Sequence, residues 1–190
     1  MTQTVGNIVQ GTPPSTGGVL IGTSGATLPT SASGVTTGFT ALGFVSDAGL
    51  TESQSRTTDK IKAWGGDVVK VVQSEFSVTY TFTLYETLNA DVLKAVYGSS
   101  NVSTTAATSS AGTLQAVSVN GDTMPKLPWI FDMVDGDTNK RIVVPLGQVT
   151  AVGDVSYTDT GVAGYPVTLE AFPDSSGNQA YVYTDNGVTT

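Results

Sequence analysis

The sequence predicts a mainly β protein, an antiparallel sandwich or barrel with one flanking helix, and three observations carry that expectation. The 190 residues include 30 Thr, 25 Val, 22 Gly and 18 Ser, a mix that suits pleated strands and turns and works against helices. Residues 76–84 alternate apolar and hydroxyl side chains without a break, the period of two of a half-buried strand. Beyond them, short apolar runs recur between turns such as Asn120-Gly121-Asp122 and Asp135-Gly136-Asp137, the spacing of antiparallel sheets. The length suits a single domain.

Residues 1–16 are uncharged, and Pro13-Pro14 forces an extended conformation, so they are expected to form an N-terminal arm. A β-domain over residues 17–172 follows, with residues 173–190 as a C-terminal tail. Val19-Leu20-Ile21 between glycines is a short strand, and the Gly/Ser/Thr/Pro stretch to Gly38 is a loop. That stretch lacks the charge that keeps disordered segments soluble, so it is better suited to lying against a surface. Residues 39–46 (FTALGFVS) are a second strand candidate.

Residues 51–66 hold Glu52, Arg56, Asp59, Lys60, Lys62 and Trp64 with no regular apolar period. A polar stretch of this length inside a compact domain is expected to be a long interaction loop, because a large aromatic such as Trp64 seeks a surface to cover. Residues 68–72 lead into the alternating strand. There Phe76, Val78, Tyr80, Phe82 and Leu84 form one face, and Ser77, Thr79, Thr81 and Thr83 form the other.

Asn89 and Gly98 bracket ADVLKAVY as N-cap and C-cap, with Asp91 in the first turn and an apolar stripe through Val92, Leu93 and Val96. A helix at about residues 89–98 is expected. Residues 101–113 are a Ser/Thr/Ala linker. Further strands are expected at 114–119, 129–134, 141–144, 149–157, 165–172 and 181–184.

Charge is scarce and uneven. Charged residues are 13% of the chain against about 25% in soluble domains. None precedes Asp47, and nine of the 24 fall between Asp47 and Glu75. A net charge of −8, a pI near 4.2 and no basic cluster argue against tight nucleic-acid binding.

Histidine and cysteine are absent, which removes every Ser-His-Asp scheme, disulfides and thiolate metal sites. No catalytic residue, cofactor or metal is expected. Residues 17–23 (GGVLIGT) keep the gap of a P-loop, but Thr23 stands where Lys must reach the phosphates. Asp135 to Asn139 opens like a calcium loop, yet Lys140 and Leu146 replace its Gly and Glu, so a hairpin turn is expected. With no apolar stretch of about 18 residues and no signal-like start, a soluble protein made in the cytoplasm is expected, with no membrane partner.

Thr27-Leu28-Pro29-Thr30, followed by the stretch from Phe39 through Leu42-Gly43-Phe44-Val45-Ser46-Asp47 to Leu50-Thr51-Glu52-Ser53, resembles the N-terminal region of major tail (tail tube) proteins. The relatives are those of long, non-contractile-tailed phages, especially phages of actinobacterial hosts. Ile61-Lys62-Ala63-Trp64, Leu93-Lys94, Val96-Tyr97-Gly98, Arg141-Ile142-Val143-Val144-Pro145 and Gly164-Tyr165-Pro166-Val167-Thr168-Leu169 extend the resemblance over most of the chain.

The resemblance implies two packed antiparallel sheets with a flanking helix, and six subunits closing a ring. Rings would stack into a tube that conducts the genome. It implies the chain itself as principal partner, then tape measure, tail terminator and tail-tip proteins, with phage DNA passing through the lumen without specific binding. The subunit would belong to the virion after assembly in the host cytoplasm. The long loop would touch neighbouring subunits and the next ring, and Ser77, Thr79, Thr81 and Thr83 are the candidate lumen face. The alternative from another class is a β-sandwich module that binds carbohydrate or a surface through Trp64, Trp129 and the tyrosines.

Overall fold

In a computed structural model, which describes residues 8–34 and 36–188, the described residues form ten strands and one α-helix. The strands are β1 (Val19–Gly22), β2 (Phe39–Ala41), β3 (Thr51–Lys62), β4 (Val68–Leu84), β5 (Val102–Thr105), β6 (Leu114–Val117), β7 (Leu127–Asp135), β8 (Thr138–Val152), β9 (Tyr165–Phe172) and β10 (Tyr181–Asp185). Helix α1 (Ala90–Tyr97) lies between β4 and β5.

One large antiparallel sheet runs in the order β2-β1-β7-β8-β9-β4-β3, with β10 added to β8, and β5 and β6 form a small second sheet. Although β4 and β7 are separated in that order by β8 and β9, the rings of Tyr80 and Phe131 lie 5.0 Å apart and those of Phe82 and Phe131 5.6 Å apart. The sheet therefore folds over on itself, and its two halves are the packed layers. Val78, Tyr80, Phe82 and Leu84 from β4 meet Trp129 and Phe131 from β7 and Ile142 and Val144 from β8 in one buried cluster. That face is the one the period of two selects.

Strand β8 is long enough to serve both halves. Its first half pairs with β10 (Ile142↔Val182) and its second with β9 (Leu146↔Phe172). The β7–β8 register shifts between Leu127 and Trp129, opposite Pro145, and proline, having no N–H to donate, is tolerated at such an irregularity. The two strands expected over 141–144 and 149–157 are thus one strand that continues through a bulge and ends at Val152, short of the expected 157.

Helix α1 closes one side of the core with Val92, Leu93, Ala95 and Val96. Its caps are those the sequence specifies. The Asn89 side chain accepts from the Asp91 N–H at 3.0 Å, and the Gly98 N–H, from a residue at φ 91°, donates to the Lys94 carbonyl at 2.9 Å.

A second cluster, Leu20, Ile130 and Val143, lies on the other face of β1, β7 and β8, where Leu28, Phe39, Tyr181 and Tyr183 pack against it. The uncharged early segment accordingly lies on its own sheet. Of the N-terminal arm, residues 1–7 are outside the described residues. From Gln10 onward the chain follows its own β7, with the Gln10 N–H donating to Asp135 Oδ2 at 2.9 Å and the Val134 N–H to the Thr12 carbonyl at 2.7 Å.

Two further expectations need correction. The interaction loop of residues 51–66 is a strand, β3, which continues into the turn of a long hairpin with β4. It escapes the period rule because all twelve β3 residues are exposed; backbone pairing to β4, and not burial, makes it a strand. The linker of residues 101–113 contains β5, held by β6 in the register Val102↔Val117.

Candidate assembly interface

The β3–β4 hairpin splits at its middle into a rooted part and a free part. Near the body, β4 is flanked by β9 on one side and β3 on the other. Between the Thr57↔Glu75 and Thr58↔Gln73 pairs the register shifts, and every residue from Thr58 to Gln73 is exposed. At about 3.3 Å per residue this free ribbon extends roughly 20–25 Å. A two-stranded ribbon in water is marginal by itself.

Its side chains are unusual for an exposed ribbon. Ile61, Trp64, Val68, Val69, Val71 and Val72 are all exposed large hydrophobic residues, and Trp64 is fully exposed. Trp64 sits in the tip, where the Ala63 N–H donates to the Asp67 carbonyl at 2.7 Å and the Gly66 N–H donates back to the Ala63 carbonyl at 3.0 Å. Gly65 and Gly66 have φ of 123° and 97°, a region that L side chains avoid, so glycine at both positions sets the turn. Exposed apolar surface of this kind is characteristic of protein–protein contact sites.

Register sorts the candidate contact residues. Alternation along β3 puts Glu52, Arg56, Lys60 and Lys62 on the face continuous with the core and Asp59 on the opposite face with Ile61. Arg56 is anchored at the root, its guanidinium 4.2 Å from the Phe76 ring centre and its Nη1 donating to Gln73 Oε1 at 3.4 Å. Glu52 Oε1 accepts from Gln54 Nε2 at 2.7 Å. Among the described residues the ion pairs are Lys94–Asp91 and Arg141–Asp132, so the charges of the ribbon make none with one another. Residues 52–75 hold four of the eight bases and four of the sixteen acids, which leaves the net −8 entirely on the rest of the chain.

Ser77, Thr79, Thr81 and Thr83 line the side of β4 opposite the core and the helix. Cross-strand pairing widens that row. Thr51, Ser53 and Ser55 of β3 stand opposite Thr81, Thr79 and Ser77, while Thr168 and Glu170 of β9 stand opposite Thr81 and Thr79. The result is a three-strand surface of hydroxyls carrying one carboxylate. Sequence reasoning missed the β3 contribution, although the alternation Thr51, Ser53, Ser55, Thr57 was a signal for it.

Other chemistry is sparse. Among the described residues no His/Cys/Asp/Glu group has metal-binding geometry. Asp135 and Asp137 belong to the tight β7–β8 turn. Trp129 is buried in the core while Trp64 is at the hairpin tip, so the two do not form a stacking platform. A cavity of about 380 Å³ beside α1 contains Asp91 and Lys94, which pair with each other at 3.1 Å.

The shifted ionisations are structural. Burial, helped by Glu52, pushes the Tyr80 hydroxyl well up. Burial and the nearby Tyr97 and Tyr157 push Tyr165 up to about 12. Asp174 is held below the usual carboxylate range by the Tyr181 hydroxyl, which donates to it at 2.6 Å, and by the backbone N–H of Asn178. No helix of the described residues is long and apolar enough to cross a membrane.

Comparison with known proteins gives the family. A family model described as phage tail tube protein matches residues 6–189. No curated protein matches the chain. Among solved structures, the cryo-EM structure of the anti-feeding prophage cap (AFP tube terminating cap) aligns over 94% of this chain and 95% of that one, with 12% identity and a TM-score of 0.43. With the family model matching nearly the whole length, the chain belongs to the phage tail tube protein family.

Proposed function

We propose that the chain is a non-catalytic structural subunit that self-assembles into six-membered rings, which stack into the tail tube of a long, non-contractile-tailed phage and conduct its genome. Assembly takes place in the host cytoplasm, with tape measure, terminator and tip proteins as further partners of the tube.

The observation that carries this reading is the free half of the β3–β4 hairpin, with six large hydrophobic side chains exposed and no covering element among the described residues. Heterologous contacts that close a ring and then stack it bury much of each subunit, which suits a chain with 13% charged residues. Strands β2 and β3 are the ends of the large sheet, and exposed edges of this kind are where one chain pairs with another. The hydroxyl surface around Thr79 and Thr81 supports a lumen role. It offers DNA neutral groups and one carboxylate, Glu170, on a body of net −8, so phosphates are repelled and not held.

The test is sedimentation of the purified chain beside a variant in which residues 58–73 are replaced by an Asn-Gly turn. The full chain is expected to form particles many times its 19.5 kDa, and the shortened chain to remain folded and small. Equal sedimentation of the two as monomers would remove the basis of the proposal.

A further inference from the structure

We propose that Trp64 at the hairpin tip of one copy seats in a cavity at the opposite end of the β3–β4 ladder of a second copy, lined by Val19, Val45, Leu50, Phe131 and Met133 with Asp47 at its mouth. This rests on the self-assembly proposed above and names the receptor for its principal contact.

The cavity encloses about 300 Å³, within the about 300–1,000 Å³ of pockets that bury a small ligand. Its place in the fold is what gives it meaning. Leu50 directly precedes β3, Val45 forms an antiparallel bridge with Leu84 at the end of β4, and the Ser46 N–H donates to the Thr83 carbonyl at 2.9 Å. The cavity therefore sits where the ladder begins, and Trp64 sits where it turns, after the twelve residues of β3. At about 3.3 Å per residue the two are roughly 40 Å apart, so Trp64 cannot reach the cavity of its own chain. An apolar knob at one pole and an apolar hole at the other generate head-to-tail contacts, the kind that propagate along an axis.

Chemistry and charge agree with that pairing. Tryptophan is among the residues that anchor interfaces when seated in a dry pocket. The tip brings Lys60, Lys62 and Lys70 with Asp59 and Asp67, a local excess of one positive charge. The receiving end presents Asp47, exposed beside the cavity, on the part of the chain that carries the whole net −8. Opposite charge on knob and socket sets their orientation and suppresses contacts between like ends. Gly65 and Gly66 border Trp64 with open space around their α-carbons, so the tip can enter without steric obstruction from its own turn.

The experiment replaces Trp64 with the photo-cross-linker p-benzoylphenylalanine, a change at a fully exposed position, and irradiates assembled particles and concentrated soluble protein. Expected are bands at twice the monomer mass and above, with adducts mapped by mass spectrometry to residues 45–50 or 131–133 of another copy. Asp47→Lys in the same background is expected to lower adduct yield about tenfold, the equivalent of about 1.4 kcal/mol. Adducts confined to other sites, including residues 1–7, or no adducts from protein that forms tubes, overturn the seating and leave the tube proposal standing. Adducts at the cavity in protein that forms only short head-to-tail chains support the seating and overturn the tube.

Discussion

Arg141 grips Asp132 across the β7–β8 ladder with two prongs, Nε to Oδ1 at 2.6 Å and Nη2 to Oδ2 at 2.8 Å. The pair is nearly buried, with side-chain exposures of 5% and 15%. Two of the remaining guanidinium hydrogens, one on Nη1 and one on Nη2, reach the carbonyls of Ser31 and Gly34, each at 3.4 Å. One side chain thus ties the uncharged early segment to the sheet.

Breaking that pair from one side leaves a buried charge without its counterpart, which costs about 3–5 kcal/mol. Arg141→Met is expected to lower stability by that order in urea unfolding and to speed proteolysis within residues 23–34. Unchanged stability would show that the pair contributes nothing beyond solvation.

Trp64→Ala is expected to separate assembly from folding. Trp64 is fully exposed among the described residues, so unfolding free energy should change by no more than about 0.5 kcal/mol. The loss of an interface anchor is worth about 2 kcal/mol or more, or about a thirtyfold rise in the concentration needed for assembly. Light scattering against concentration measures the second quantity, and urea unfolding the first.

Thr81 is the exposed member of the β4 hydroxyl row. Because the chain has no cysteine, Thr81→Cys gives a unique thiol. In assembled protein it is expected to react with a small maleimide and to resist a maleimide carried on a polymer too large for the lumen, whereas free subunits react with both. Equal reaction of assembled protein with both reagents would put this face on the outside.

Alkaline pH should weaken the fold through its buried phenols. Burial raises the values of Tyr80 and Tyr165 above the ordinary 10.0, Tyr165 to about 12. A raised folded value means that the neutral phenol is favoured in the native state. The contribution is therefore complete below pH 10 and is lost as pH rises, for Tyr165 through about 12. Urea midpoints should hold steady from pH 8 to about 10 and fall beyond it, and Tyr165→Phe should make that fall shallower.

How much of this was legible in the sequence depended on what each element uses to hold its shape. β4 and α1 announce themselves, because burial of one face selects Val78, Tyr80, Phe82 and Leu84 at a period of two, and Asn89 and Gly98 cap a short apolar stripe. β3 does not, because nothing along it is buried and its geometry comes from a partner strand. β8 was divided at Pro145, a residue that disfavours interior strands but is accommodated where the ladder is already irregular.

Charge and Trp64 are what single out the candidate contact residues in the sequence, yet their two-sided arrangement, with Asp59 facing away from Arg56, Lys60 and Lys62, needs the register. The cavity at the other pole was not legible at all. Val19, Phe131 and Met133 meet through the β1–β7 pairing, with Val19 opposite Phe131, while Val45 and Leu50 come from another stretch of chain and reach them only because the sheet folds over.

The most direct measurement is electron microscopy of the purified chain at increasing concentration, with end-on views averaged without imposed symmetry. Hollow tubes of uniform width with six-fold end-on views are expected. A chain that stays monomeric at every concentration, or tubes whose end-on views show another symmetry, would contradict the six-subunit tube.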